Sequence, residues 1–103
     1  MDSNKLFNLK NKTIVLTGSA GRLGTRFAHV LSKSGANVVL IDIEQSANKK
    51  LERELILQYK TKPTSFCVDI SDQNKVKQLI KKIMLKYSKI DVLINNAAYQ
   101  GND

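Results

Sequence analysis

The stretch Ile14-Val15-Leu16-Thr17-Gly18-Ser19-Ala20-Gly21-Arg22-Leu23-Gly24 leaves this chain few folds to choose from. A β-branched apolar run stops at a glycine. Two more glycines follow at intervals of three, and an amphipathic helix pattern starts inside the glycine segment. Strand, glycine turn and helix is the order a phosphate-binding loop requires. A helix N-terminus carries unpaired N–H groups and a partial positive charge, so it suits an anion. Each glycine has its own task there. Gly18 turns the chain sharply, Gly21 lets a pyrophosphate approach the backbone, and Gly24 lets the helix pack against the strand. The plain alternative is an ordinary glycine-rich turn between a strand and a helix.

A chain of 103 residues has room for one small domain. The sequence divides into a lead-in over 1–11, a folded unit over 12–98 and a short end over 99–103. No window approaches the roughly 20 apolar residues of a membrane span. Residues 1–12 are polar and lack the apolar core of a secretion signal. A cytoplasmic protein with no membrane partner is expected. Cys67, the one cysteine, has no internal partner, and its neighbours Phe66 and Val68 point to a buried small hydrophobe. The net charge of +8 is of the kind that attracts nucleic acid. Yet Lys75, Lys77, Lys81, Lys82, Lys86 and Lys89 alternate with an apolar stripe, which is how a solvated helix face reads. The one aromatic among them, Tyr87, falls on the apolar stripe and not on the lysine face where it could stack on bases, so no nucleic-acid partner is expected.

In chain order, 13–17 reads as a strand covered on both faces. Residues 22–34 follow as a helix, with Leu23, Phe27, Val30 and Leu31 on one face. His29 falls on the opposite, solvent-facing side. Gly35 ends that helix where a left-handed residue is favoured. Residues 38–41 form a second buried strand closing on Asp42. A second helix over 46–60 carries Ala47, Leu51, Leu55 and Tyr59. Pro63 punctuates the next loop, and 65–68 is a third strand ending at Asp69. Ser71 caps a third helix, whose apolar stripe is Val76, Leu79, Ile80, Ile83, Met84 and Tyr87; Leu85 points outward. Residues 91–95 form a fourth strand. Leu6, Phe7 and Leu9 are placed to pack on a sheet edge. The pattern βαβαβαβ predicts an α/β, Rossmann-type doubly wound parallel sheet with right-handed crossovers. Its strand order is 3-2-1-4, with the ligand crevice at the first glycine turn.

The carboxyl ends of the strands bring polar groups to that crevice. The first supplies the glycine loop. The second supplies Asp42, 18 residues beyond Gly24, followed by Ile43. A carboxylate there accepts both hydroxyls of an adenosine ribose and repels a 2′-phosphate, which favours NAD and makes NADP the lesser choice. Arg22, a cation in the loop, argues the other way, and Asp42 also fits a plain turn residue. Asp69 is placed to accept from an adenine amino group, with Ile70 on the ring; a turn carboxylate before Ser71 is the alternative. The fourth strand ends Asn95-Asn96-Ala97-Ala98. Small residues there admit a ligand, and asparagine amides can tie strand ends together.

Taken together, Thr17-Gly18-x-x-Gly21-x-x-Gly24, Asp42, Asp69-Ile70 and Asn95-Asn96-Ala97-Ala98 resemble the short-chain dehydrogenase/reductase family over about residues 12–98. The resemblance implies a Rossmann fold, NAD(P) binding and hydride transfer to or from a carbonyl or alcohol. The cofactor-binding set it points to is Thr17, Gly18, Ser19, Gly21, Arg22, Leu23, Gly24, Asp42, Ile43, Asp69, Ile70, Asn95 and Ala97. Two features depart from the common pattern. Many members carry T-G-x-x-x-G-x-G, whereas this loop has the T-G-x-x-G-x-x-G form of the extended branch, and Ala98 stands where N-N-A-G has its last glycine. The family's serine and Tyr-x-x-x-Lys catalytic set belongs beyond the fourth strand. Tyr59, Tyr87 and Tyr99 each lack a lysine four positions on, so no pair here does the proton transfer that a tyrosine beside a lysine performs.

Three functions follow for testing. The chain is the cofactor half of an NAD-dependent oxidoreductase and is inactive alone. Or it is a stand-alone nucleotide- or partner-binding module, self-associating through the sheet edge left open at the fourth strand. Or, least supported, it is a basic nucleic-acid binder, with the salt-sensitive binding that implies.

Overall fold

A computed structural model describes residues 8–97. Leu6, Phe7, Ala98 and Tyr99 lie outside the described residues. The elements are β1 (Thr13–Thr17), α1 (Arg22–Lys33), β2 (Asn37–Asp42), α2 (Gln45–Gln58), β3 (Thr64–Cys67), α3 (Gln73–Tyr87) and β4 (Val92–Asn95). The strands form one parallel sheet in the order β3-β2-β1-β4, as the pattern predicts. Leu16 sits opposite Leu40 on one side and Ile94 on the other.

Side chains alternate across a strand, so each central strand feeds two cores. Ile14, Leu16, Val38 and Leu40 pack with Ala28, Leu51 and Leu55, under α1 and α2. Val15, Val39 and Ile41 pack with Leu79 and Ile83, under α3. This is why β1 and β2 read as unbroken apolar runs. Burying a side chain such as Leu16 or Leu40 contributes about 1.5–3 kcal/mol. The chain moves one way from β1 through β3, then returns past β1 to β4. That reversal puts α3 on the opposite face and opens the crevice between β1 and β4. Leu9 packs against the α1/α2 core, and its N–H donates to the Ser34 carbonyl.

The end of α1 follows the expected chemistry. Gly35 has φ +99°, its N–H donates to the Ser32 carbonyl, and the Ala36 N–H donates to the Leu31 carbonyl. These two bonds satisfy carbonyls that the last helical turn leaves open.

Several local expectations are corrected. Leu23, Phe27 and Val30 do not face the core: they are 54%, 37% and 64% exposed. The sheet-facing line of α1 is Gly24, Ala28 and Ser32. The helix lies too close to β1 for large side chains in between. A Cβ at Gly24 would sit 2.1 Å from the Gly18 carbonyl oxygen. In α2, Asn48 and not Ala47 takes the inward position beside Leu51 and Leu55. On α3, Leu79 and Ile83 are buried while Ile80 and Met84 are over 40% exposed. Leu85 points outward as expected, and the α3 lysines are exposed. Cys67 is exposed, because it ends an edge strand; its thiol donates to the Ile43 carbonyl. His29 is half-buried, with Nδ1 3.0 Å from the Tyr59 hydroxyl and Nε2 3.7 Å from Glu54. Asp72, not Ser71, caps α3, accepting from the Lys75 N–H. The Ser71 hydroxyl donates to Asp69 instead.

No described helix is long and apolar enough to cross a membrane. The β4 edge carries Val92 and Leu93 at 43% and 63% exposure.

Candidate functional site

The carboxyl end of β1 turns at Gly18, whose φ is +67°. A Cβ there would lie 2.9 Å from the Ala97 Cα, so the turn is pressed against the end of β4. Gly24 is fixed by its approach to Gly18. Gly21 differs: a Cβ on it would meet nothing closer than the Gly18 carbonyl oxygen at 3.4 Å, and its φ of −73° suits any residue. Nothing in the described chain demands a glycine at 21. Among the described residues, open space lies over it.

Gly21 is also the N-cap of α1, and no side chain among the described residues caps that end. The first helical bond runs from the Thr25 N–H to the Gly21 carbonyl at 2.9 Å. The amides of Arg22, Leu23 and Gly24 therefore have no intrahelical acceptor. The first turn has no acidic residue, so the partial positive charge of the helix end is not offset. The Arg22 and Leu23 side chains are exposed beside it.

β4 closes the other wall. The Thr17 hydroxyl donates to Asn95 Oδ1 at 2.8 Å and accepts from the Ala97 N–H at 3.0 Å. Asn96 Nδ2 donates to the Gly18 carbonyl at 3.2 Å. The asparagine amides thus tie strand ends together, as expected. Asn96 belongs with the cradle, although the motif drew attention to Asn95 and Ala97.

β2 closes the loop from behind. Asp42 Oδ2 accepts from the Ala20 N–H, and Oδ1 from the Glu44 N–H, both at 2.9 Å. A carboxylate has about four acceptor positions, so two amides leave room for two hydroxyls. Ile43 is 64% exposed next to it. One strand further out, Asp69 Oδ1 accepts from the Ser71 N–H and hydroxyl. The Ser71 amide, then its hydroxyl, hold the Asp69 carboxyl below the usual value. Its turn role is thus built; among the described residues no hydrogen bond joins it to the glycine loop. Ile70 is 40% exposed and lines a cavity of about 250 Å³ that also touches Thr17, Ile41, Leu93 and Asn95. A second cavity of about 220 Å³ lies at the β3 edge beside Cys67, Lys49 and Lys82.

The structure brings Thr17, Gly18, Asn95 and Ala97 into one cluster and joins the loop to Asp42. It also shows a member the pattern missed. The Ser19 hydroxyl donates to Asn48 Oδ1 at 2.6 Å, and Asn48 is buried. The available signal was an asparagine, a poor helix former, amid the apolar positions of α2. Among the described residues no group of three side chains is arranged to hold a metal ion.

A family profile described as short chain dehydrogenase matches residues 12–103. A short chain dehydrogenase/reductase of Gibberella zeae is 41% identical over 98 residues, which is 91% of this chain and 34% of that protein. The 15-hydroxyprostaglandin dehydrogenase [NAD(+)] of Bos taurus is 32% identical over 91 residues, covering 87% of this chain and 34% of its own. Among solved structures, an NAD+-bound xylitol dehydrogenase superposes with a TM-score of 0.85 at 28% identity, over 90% of this chain and 35% of that one. The chain spans about a third of the length of these relatives.

Proposed function

The chain belongs to the short-chain dehydrogenase family, and from that premise we propose that residues 12–98 are the NAD-binding portion of an oxidoreductase. The whole enzyme would move a hydride between the nicotinamide and an alcohol or carbonyl substrate. The observation that carries this is the open space at Gly21 over the uncapped end of α1. A pyrophosphate fits where no Cβ intrudes, facing the amides of Arg22, Leu23 and Gly24. Thr17, Gly18, Ser19, Asn95 and Ala97 shape the floor and wall of that cradle. Asp42 takes the ribose hydroxyls beside Ile43, and Asp69 and Ile70 flank the adenine. Bound NAD supplies the hydride-accepting ring; the residues here bind and orient it.

NAD is preferred over NADP because the Asp42 carboxylate would meet a 2′-phosphate as charge against charge. The Arg22 guanidinium is the one cation in the loop that opposes this. No tyrosine of the chain has a lysine four positions on, and the Tyr87 hydroxyl is engaged by the Lys62 carbonyl and Thr64. The 103-residue chain alone is therefore assigned binding and no turnover. A cytoplasmic setting fits its single free thiol.

Titration calorimetry with NAD+ and NADP+ tests the assignment. Asp42→Ala should weaken NAD+ by about ten- to hundredfold, as loss of hydrogen bonds to a charged group does, and should narrow the preference over NADP+. Equal NAD+ binding by the variant would remove Asp42 from the ribose site.

A second reading is favoured by the β4 edge. Among the described residues, Val92 and Leu93 stand exposed on a strand paired on one side only, a template for another strand. Self-association through that edge predicts a concentration-dependent sedimentation coefficient that Leu93→Lys abolishes. A monomer at all concentrations removes it.

A further inference from the structure

We propose that Ser19 and Asn48 are positioning residues that hold the glycine loop at the height the pyrophosphate requires. This rests on the cofactor reading of that loop. Ser19 is 0% and Asn48 1% exposed. The Ser19 hydroxyl donates to Asn48 Oδ1 at 2.6 Å. Asn48 Nδ2 in turn donates to the Leu40 carbonyl at 3.0 Å and the Phe66 carbonyl at 3.4 Å. One amide thus joins the loop, β2, β3 and α2.

Stability alone does not call for this arrangement. Leu51 and Leu55, on the same face of α2, fill their positions with apolar side chains. Asparagine is a weaker helix former than leucine. A matched apolar pair is often as stable as a buried hydrogen-bonded one. A fully satisfied polar network does something an apolar contact does not: it fixes one geometry.

The other ties on this side of the loop show why a fixed geometry is needed. Ser19 N–H reaches the Ile41 carbonyl only at 3.3 Å. The Ala20 N–H is held by Asp42, the carboxylate that a bound ribose would share. The Ser19–Asn48 bond is buried behind the loop, where an incoming dinucleotide does not touch it. It keeps the loop in place when the Asp42 carboxylate is shared between the Ala20 amide and the ligand. Through the main chain it sets where Gly21 and the α1 amides stand.

The test separates the pyrophosphate from the nucleoside. Wild type, Ser19→Ala, Asn48→Leu and the double variant are titrated with ADP and with adenosine, and melted by circular dichroism. Each variant should bind ADP about tenfold more weakly, a loss typical of one displaced charge-assisted contact. Adenosine affinity should stay within about twofold, because the ribose and adenine contacts remain. The double variant should lose no more ADP affinity than the weaker single, since both break the same link. Ser19→Ala removes only a hydroxyl and keeps the test alive if Asn48→Leu does not fold. A folded variant with an unchanged ADP-to-adenosine ratio overturns the proposal and leaves the pair a plain packing contact. A wild type that binds neither ADP nor NAD+ overturns the cofactor reading itself, and the proposal with it.

Discussion

A methyl group at position 21 separates what the fold needs from what the ligand needs. Gly21→Ala would place its Cβ 3.4 Å from the Gly18 carbonyl oxygen, an ordinary contact, with φ already at −73°. Two effects on stability then oppose one another. Alanine restricts the unfolded chain, which stabilises by about 0.4–1 kcal/mol. It is also a poorer N-cap than glycine, which costs about 0.5–1 kcal/mol. The sum is near zero, within about 0.5 kcal/mol, or about 2–4 °C in Tm for a domain this size. Gly24→Ala is the contrast. Its Cβ would lie 2.1 Å from the same oxygen, so the helix or the turn must move, at a cost of about 1–3 kcal/mol or more. Binding reverses the order of interest. At position 21 the methyl fills the space assigned to the pyrophosphate and pushes it from the helix amides. Loss of charge-assisted bonds of about 1.5–3 kcal/mol weakens NAD+ by about ten- to hundredfold. Thermal melts and NAD+ calorimetry on both variants decide the matter. A Gly21→Ala protein with normal stability and undiminished NAD+ affinity would refute the placement of the pyrophosphate.

Thr17→Val keeps the shape but leaves the Ala97 N–H and Asn95 Oδ1 without the hydroxyl between them; urea melts should show a loss of about 1–3 kcal/mol. Ser32→Ala should stabilise by about 1 kcal/mol, because the buried Ser32 hydroxyl has no hydrogen-bond partner among the described residues and alanine is the better helix former; a lower Tm would contradict this. Asp91 makes stability fall in acid. The Thr13 N–H first, and Lys89 after it, hold its carboxyl below the ordinary 3.8. The unfolded chain therefore takes up the proton first as pH falls, so the stabilisation is complete above about pH 4 and is lost as pH drops through the folded value. Asp91→Asn should flatten the urea midpoint between about pH 5 and 3; an unchanged acid slope would sink the assignment.

The strand order was legible because β1 and β2 are buried on both faces and carry no polar interruption. The three glycines were legible because each sits at a fixed offset from the end of β1. The face of α1 was not. Amphipathic patterning assumes that large apolar residues mark the inner side, but the glycine turn draws this helix so close that only Gly24, Ala28 and Ser32 fit beneath it. Asn48 was missed for a related reason. A polar residue at an inward position looks like a break in the stripe unless its partner, 29 residues away, is already known. Cys67 was misplaced because a strand at the sheet edge has cover on only part of its length, which alternation does not reveal. Asp72 displaced Ser71 as the cap because Asp69 had already engaged the serine.

The bonds from Thr17 and Gly18 to Asn95, Asn96 and Ala97 span 78 to 80 positions. During synthesis, the glycine turn leaves the ribosome long before the residues that brace it. Until β4 arrives the turn lacks those braces, so its final shape comes from a long-range closure, with the entropy cost that carries, and not from local folding.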